Sequence, residues 1–184
     1  NKVAVVVSGH TTTITETAGL RLPIKSFNLA AFVSEPVKPL IDVIVNCPDL
    51  GVYLNQSDKG ELVIGGAPDP GQSFRRDVKQ NVFEEAVVTM LELFPTFRRL
   101  KLLRQWGGVL DIAHDATPII SATDIPGLFV SCGWWGGFKA VPAGGYTLAH
   151  LIATGQPHNV AAPFTLDRFH HLDFIVESGT TTAR

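Results

Sequence analysis

Leu128-Phe129-Val130-Ser131-Cys132-Gly133-Trp134-Trp135-Gly136-Gly137-Phe138-Lys139-Ala140-Val141-Pro142 passes from an apolar run, through a glycine-rich loop, to a helix start. The first five residues have the apolar, bounded character of a buried strand. Pro142 suits a first helical turn, and Gly155 falls where a helix from Pro142 would be capped at its C-terminus. A glycine loop between strand and helix lets a ligand approach the backbone and directs unpaired helix N–H groups at it. The helix start carries about half a positive charge, which favours an anion or an electron-rich carbonyl. Gly136, Gly137, Gly144 and Gly145 surround that start, Lys139 adds a full charge, and Trp134 and Trp135 offer flat surfaces for an aromatic ligand. A second reading stands beside this one: glycines for tight strand–helix packing, tryptophans as core and Lys139 as a surface lysine. No GxGxxG occurs in the chain, so the usual dinucleotide fingerprint is missing from these residues.

Outward from this segment, other elements are legible. Val3–Val7 reads as a buried strand and Gly9–Thr13 as the polar loop leaving it. Partial alternation predicts a strand over Phe27–Glu35, ended by Pro36 and Pro39, and a short strand over Ile41–Val45. Val52–Gln56 and Glu61–Gly65 flank Ser57-Asp58-Lys59-Gly60, a hairpin whose glycine permits the turn. Asp77 to Phe94 reads as a helix, with Asp77 and Gln80 as a capping box and Pro95 as its stop. Val82, Ala86 and Met90 form its apolar stripe. The class is α+β, in two parts: residues 1–22 with 105–184, and residues 23–104, an antiparallel sheet with a long packing helix.

Composition bounds the function. The 184 residues, 45% apolar and 17% charged, suit a globular domain with a sizeable core. A net charge of -2 with interspersed signs gives no basis for nucleic-acid binding. No run approaches the ~18 apolar residues of a membrane helix. Cys47 and Cys132 are too few and too far apart for a disulfide framework or a metal knuckle, and a reduced, cytoplasmic setting is expected. His10 reads as a loop-ordering histidine. His114 beside Asp115 makes a base–orienter pair conceivable, but no nucleophile elbow accompanies it. His170-His171 lack the spacing of a helical metal pair, and no metal is expected.

Gly133–Pro142 resembles the Gly-Trp-Gly-Thr-Gly-Gly-Phe-Lys-x-x-Pro segment of the beta-subunit family of heterotetrameric sarcosine oxidases. Similarity continues through Lys59–Val63, Glu92–Pro95, Trp106–Gly108, Asp115–Ile120, Thr147–His150, Pro157-His158 and Ala162–Phe169, in order along nearly the whole chain. The resemblance implies that residues 1–22 and 105–184 form a partial FAD-binding layer and residues 23–104 the antiparallel substrate-domain sheet. It implies further that Gly136 and Gly137 lend backbone contacts to FAD, and that Lys139 serves the flavin and substrate-carboxylate pocket. Tyr53 would either line that pocket or pack within the sheet. The implied reaction is oxidation of a secondary amino acid such as sarcosine to its imine, with FAD as electron acceptor and FMN at a subunit interface. Two departures accompany the resemblance. Trp135 replaces the family's Gly-Thr pair, and the ADP-binding motif and FMN-bearing histidine have no counterpart among these residues. The chain is therefore expected to correspond to a C-terminal half, completed by a missing N-terminal half or by other oxidase subunits. Rival expectations are an opine, glycine or dimethylglycine oxidoreductase, and a non-catalytic fragment or interaction module of the same fold.

Overall fold

β1 (Val3–Val5) leads through a 3-10 turn at Ser8–His10 into α1 (Thr11–Thr17). β2 (Ile24–Pro36), β3 (Val45–Cys47), β4 (Val52–Gln56) and β5 (Glu61–Gln72) follow, then α2 (Gln80–Leu93). β6 (Leu102–Ala113), β7 (Ile119–Ala122) and β8 (Leu128–Cys132) precede α3 (Val141–Thr154) and α4 (Asp167–His170). The computed structural model describes residues 1–175 and divides into two units, Phe27–Val109 and residues 1–26 with 110–175. The class is α+β.

The Phe27–Val109 unit is a five-stranded sheet in the order β3-β4-β5-β2-β6, with antiparallel pairing from β3 through β2. The β4–β5 hairpin closes as its sequence predicts. Gly60 takes φ +96° and donates its N–H to Ser57 O at 2.9 Å. Phe32, Leu54 and Leu62 are essentially inaccessible, and α2 lays Val82, Ala86 and Met90 into the same core. Burying each large side chain is worth about 1.5–3 kcal/mol, against a span of about 1 kcal/mol for intrinsic strand propensity. Packing beneath α2 therefore decides which strand face turns inward.

Three local expectations fail here for identifiable reasons. Ile41–Ile44 is not a strand, and β3 starts only at Val45. Gln56 supplies that segment's hydrogen bonds instead: its Oε1 accepts from the N–H groups of Leu40 and Ile41. Its Nε2 donates to the carbonyls of Val37, Lys38 and Gly60. The capping box is absent as well. α2 begins at Gln80 with Lys79 at its N-cap and no side-chain cap. The Asp77 carboxylate is taken by Arg75, whose hydrogen bond holds it down at about 2, and Gln80 donates to Glu84 at 2.8 Å. Finally, Gly9–Thr13 is no loop but a 3-10 turn entering α1. Thr11 and Thr15, four apart on one face, are buried, which outweighs the modest helix penalty of threonine.

The second unit is built on a three-stranded sheet, order β1-β8-β7, with β1 parallel and β7 antiparallel to β8. One face buries Val5, Ile119, Val130 and Cys132 with Leu22, Ile24 and Leu166. The other packs Ile120 and Phe129 against Leu148 and Leu151 of α3. The buried strand expected over Val3–Val7 is shorter and more exposed. β1 ends at Val5, the one valine of the four to face the core, while Val3 and Val6 are each 58% exposed. Among the described residues β1 is paired along one edge only. α3 runs as the sequence predicts, with Pro142 in its first turn and Gly155 closing it at φ +75°.

Candidate functional site

Parallel strands place their C-terminal ends on the same side, where loops in open α/β sheets meet ligands. β1 and β8 are the parallel pair, Val3 opposite Leu128 and Val5 opposite Val130. Beyond β1 lies the Ser8–His10 turn, and beyond β8 lies the Gly133–Ala140 loop. Asp111, at the end of β6 and 1% exposed, ties the two together. Its Oδ2 accepts the Gly133 N–H at 3.0 Å, and its Oδ1 receives a longer bond from the Ser8 hydroxyl at 3.4 Å. Ser8 and Gly133 both have positive φ, +48° and +72°. Ser26 adds a buried bond to Gly9 O at 2.7 Å. Removing the acceptor strands a buried N–H, a loss of about 1–3 kcal/mol. Asp111→Ala should therefore lower the urea unfolding midpoint clearly and Asp111→Asn, which keeps one acceptor, less so; an unchanged midpoint in Asp111→Ala would mean the tie is idle.

Within the loop the glycines divide by purpose. The Trp134 indole donates to Ser131 Oγ at 3.1 Å and lies over Gly137 and Gly144. A Cβ at Gly137 would come within 2.8 Å of the Trp134 Cβ, and one at Gly144 within 2.7 Å of its ring, so both glycines are packing requirements. Gly136 and Gly145 are different: a Cβ at either would meet nothing within 4 Å. Gly136 adopts the left-handed conformation, φ +66°, and opens the 3-10 turn Gly137–Ala140 that runs into α3. No side chain caps α3, and its first turn holds no acidic residue. Lys139 sits in that 3-10 turn, exposed, with no ion pair among the described residues. Gly136, Gly137 and Lys139 thus lie in one turn. Around it Trp135 is 42% exposed, Phe138 93%, Val141 64% and Tyr146 64%. An uncapped helix start, a free cation and aromatic faces make a surface suited to a planar, electron-poor or anionic group.

Other candidates take up different work. Tyr53 on β4 lies over Gly65, its cross-strand partner, so closely that a Cβ there would come within 2 Å of the ring. Burial pushes the Tyr53 hydroxyl up from its ordinary value. Asp115 does not orient His114. Both its oxygens are held by Arg168, at 2.8 and 3.0 Å, with further N–H donors from Thr117 and Ile175. His170 and His171 are exposed, and no group of three or more potential ligands among the described residues is arranged for a metal ion. Burial, reinforced by the Asp111 charge, pushes the Cys132 thiol far up, so it stays an inert core group.

Asp111 and Arg168 are the structural residues that sequence reading missed. Arg168 is 5% exposed and also donates to the carbonyls of Thr117 and Thr165, at 2.8 and 3.1 Å. Each contacts partners dozens of residues away, and no local spacing signals that.

Residues 2–151 match the FAD dependent oxidoreductase family. The sarcosine oxidase subunit beta of Rhodobacter capsulatus is 48% identical over 178 residues, 96% of this chain and 43% of that protein. That of an Arthrobacter species is 44% identical, over 97% of this chain and 44% of its own length. The chain therefore spans less than half the length of the curated relatives it matches. L-proline dehydrogenase from P. horikoshii shares the fold with a TM-score of 0.85 at 23% identity, over 92% of this chain and 47% of that one. Glycine oxidase from Geobacillus kaustophilus follows at 0.79 and 22%, over 91% and 45%. No helix among the described residues is long and apolar enough to cross a membrane.

Proposed function

The chain belongs to the FAD dependent oxidoreductase family, and from that premise we propose that it forms the flavin-facing and substrate-facing half of an oxidase acting on a secondary amino acid such as sarcosine. The observation that carries this reading is the β8–α3 turn. Gly136 leaves open space beside its Cα, no side chain caps α3, and Lys139 stands beside it without an ion pair among the described residues. These residues fit the ring of FAD, which when bound supplies the two-electron acceptance that amine oxidation needs.

The chain's own residues bind and position. Backbone at Gly136 and Gly137 approaches the cofactor without side-chain obstruction. The start of α3, worth about half a positive charge, stabilises negative charge placed against it. Lys139 holds the substrate carboxylate through a charge-assisted hydrogen bond worth about 1.5–3 kcal/mol. Asp111 keeps the Gly133 end of the loop in register with the Ser8 turn. The relatives' description as beta subunits supports a multi-subunit assembly. In it, other subunits, or the portion of the relatives outside this match, cover Trp135, Phe138 and Val141, and any FMN belongs at such an interface. We place the assembly in the cytoplasm, with Cys47 and Cys132 as free thiols.

Anaerobic mixing of the assembled flavoprotein with sarcosine tests the reading. Flavin absorbance should bleach, and faster with sarcosine than with glycine, dimethylglycine or an opine. Bleaching by one of those and not by sarcosine would reassign the substrate; a protein that never carries flavin would leave a non-catalytic interaction module.

A further inference from the structure

We propose that the Phe27–Val109 unit carries a second ligand site, for a short-chain aliphatic carboxylate, in a cavity beside α2. The cavity measures about 100 Å³ and is lined by Phe32, Ile64, Met90, Phe97 and Leu102, with Arg98 as its one charged residue. The pocket is half open to solvent, and its lining is mostly apolar. Covering that apolar surface with a few methylene groups is favourable, at about 25 cal/mol per Å² removed from water.

Arg98 specifies the head group. It lies in the exposed 3-10 turn Pro95–Arg99, and its guanidinium forms no hydrogen bond or ion pair among the described residues. A planar guanidinium pairs with a carboxylate through two parallel hydrogen bonds. An amine in its place would be repelled. The lining residues all belong to the sheet unit, whereas Gly136 and Lys139 belong to the other.

Met90 lines the cavity and is the sequence's one methionine, so a 13C-methyl methionine label reports the site directly. Titration of the chain with hexanoate should shift that resonance saturably. Hexanol should bind about tenfold more weakly, as expected for loss of a charge-assisted contact, and hexylamine should give no shift. Arg98→Gln, an exposed substitution that removes the charge and leaves Met90 the one labelled methionine, should reduce hexanoate to the level of hexanol while leaving hexanol unchanged. A resonance unmoved by hexanoate removes the site. Equal responses to all three probes, or wild-type hexanoate binding by Arg98→Gln, removes the assignment of a carboxylate ligand.

Discussion

Arg168→Met is expected to destabilise the chain by about 3–5 kcal/mol, the usual result of stripping one partner from a buried ion pair. The Arg168 and Asp115 side chains are 4% and 2% exposed. Their contact is bidentate, with Nε and Nη2 donating to the two carboxylate oxygens. Methionine fills much of the space but leaves Asp115 with only the N–H groups of Thr117 and Ile175. With total stabilities of about 5–15 kcal/mol for domains, this is a large fraction. Burial alone would push the Asp115 carboxyl up, but Arg168 and the backbone donors more than offset it and hold it below the ordinary value. The sign follows: the pair's contribution is fully present above the unfolded carboxylate pKa of about 3.9. It is lost as pH falls through the lower folded value. Urea midpoints at pH 7 should therefore drop sharply in Arg168→Met, while acid destabilisation below about pH 4 should be shallower than in wild type. The double variant Asp115→Leu/Arg168→Met should recover part of the loss, since neither charge is then buried. An unchanged midpoint in the single variant would show that the pair contributes nothing.

If Lys139 holds the substrate carboxylate as proposed, Lys139→Met in the proposed oxidase assembly lowers substrate affinity or turnover by about ten- to a hundredfold, each 1.4 kcal/mol being a factor of ten. Folding should survive, because Lys139 is exposed and methionine retains most of the apolar stem. Steady-state kinetics on an amino-acid substrate and on an uncharged amine separate the possible roles. A carboxylate-binding lysine penalises the first far more than the second. Equal losses would assign the charge to the flavin, and unchanged kinetics for both would make Lys139 an ordinary surface residue.

The sequence disclosed those parts of the fold that glycine and proline punctuate. The β8–loop–α3 passage, the Ser57–Gly60 hairpin and the buried stripe Val82, Ala86 and Met90 all follow from local pattern. Elements decided by distant groups did not follow. Gln56 reaches back to the 37–41 backbone and turns an expected strand into a loop, and Arg75 takes the carboxylate that would have capped α2. Thr11 reads as a loop residue until its burial, beside that of Thr15, is seen. At the candidate site, the sequence located the segment but not the division of labour among its glycines. Gly137 and Gly144 answer to the Trp134 indole, whereas Gly136 and Gly145 face open space. The Asp111 tie to Gly133 spans 22 residues and the Arg168 pair 53, separations that no local motif encodes.

Hydrogen–deuterium exchange on the assembled oxidase, with and without its flavin, tests most directly whether the β8–α3 turn is where this chain meets the cofactor. Flavin loading should slow amide exchange across residues 133–141, and leave the Ser57–Gly60 turn of the β4–β5 hairpin unchanged. Unaltered exchange across residues 133–141, with new protection elsewhere in the chain, would contradict the account.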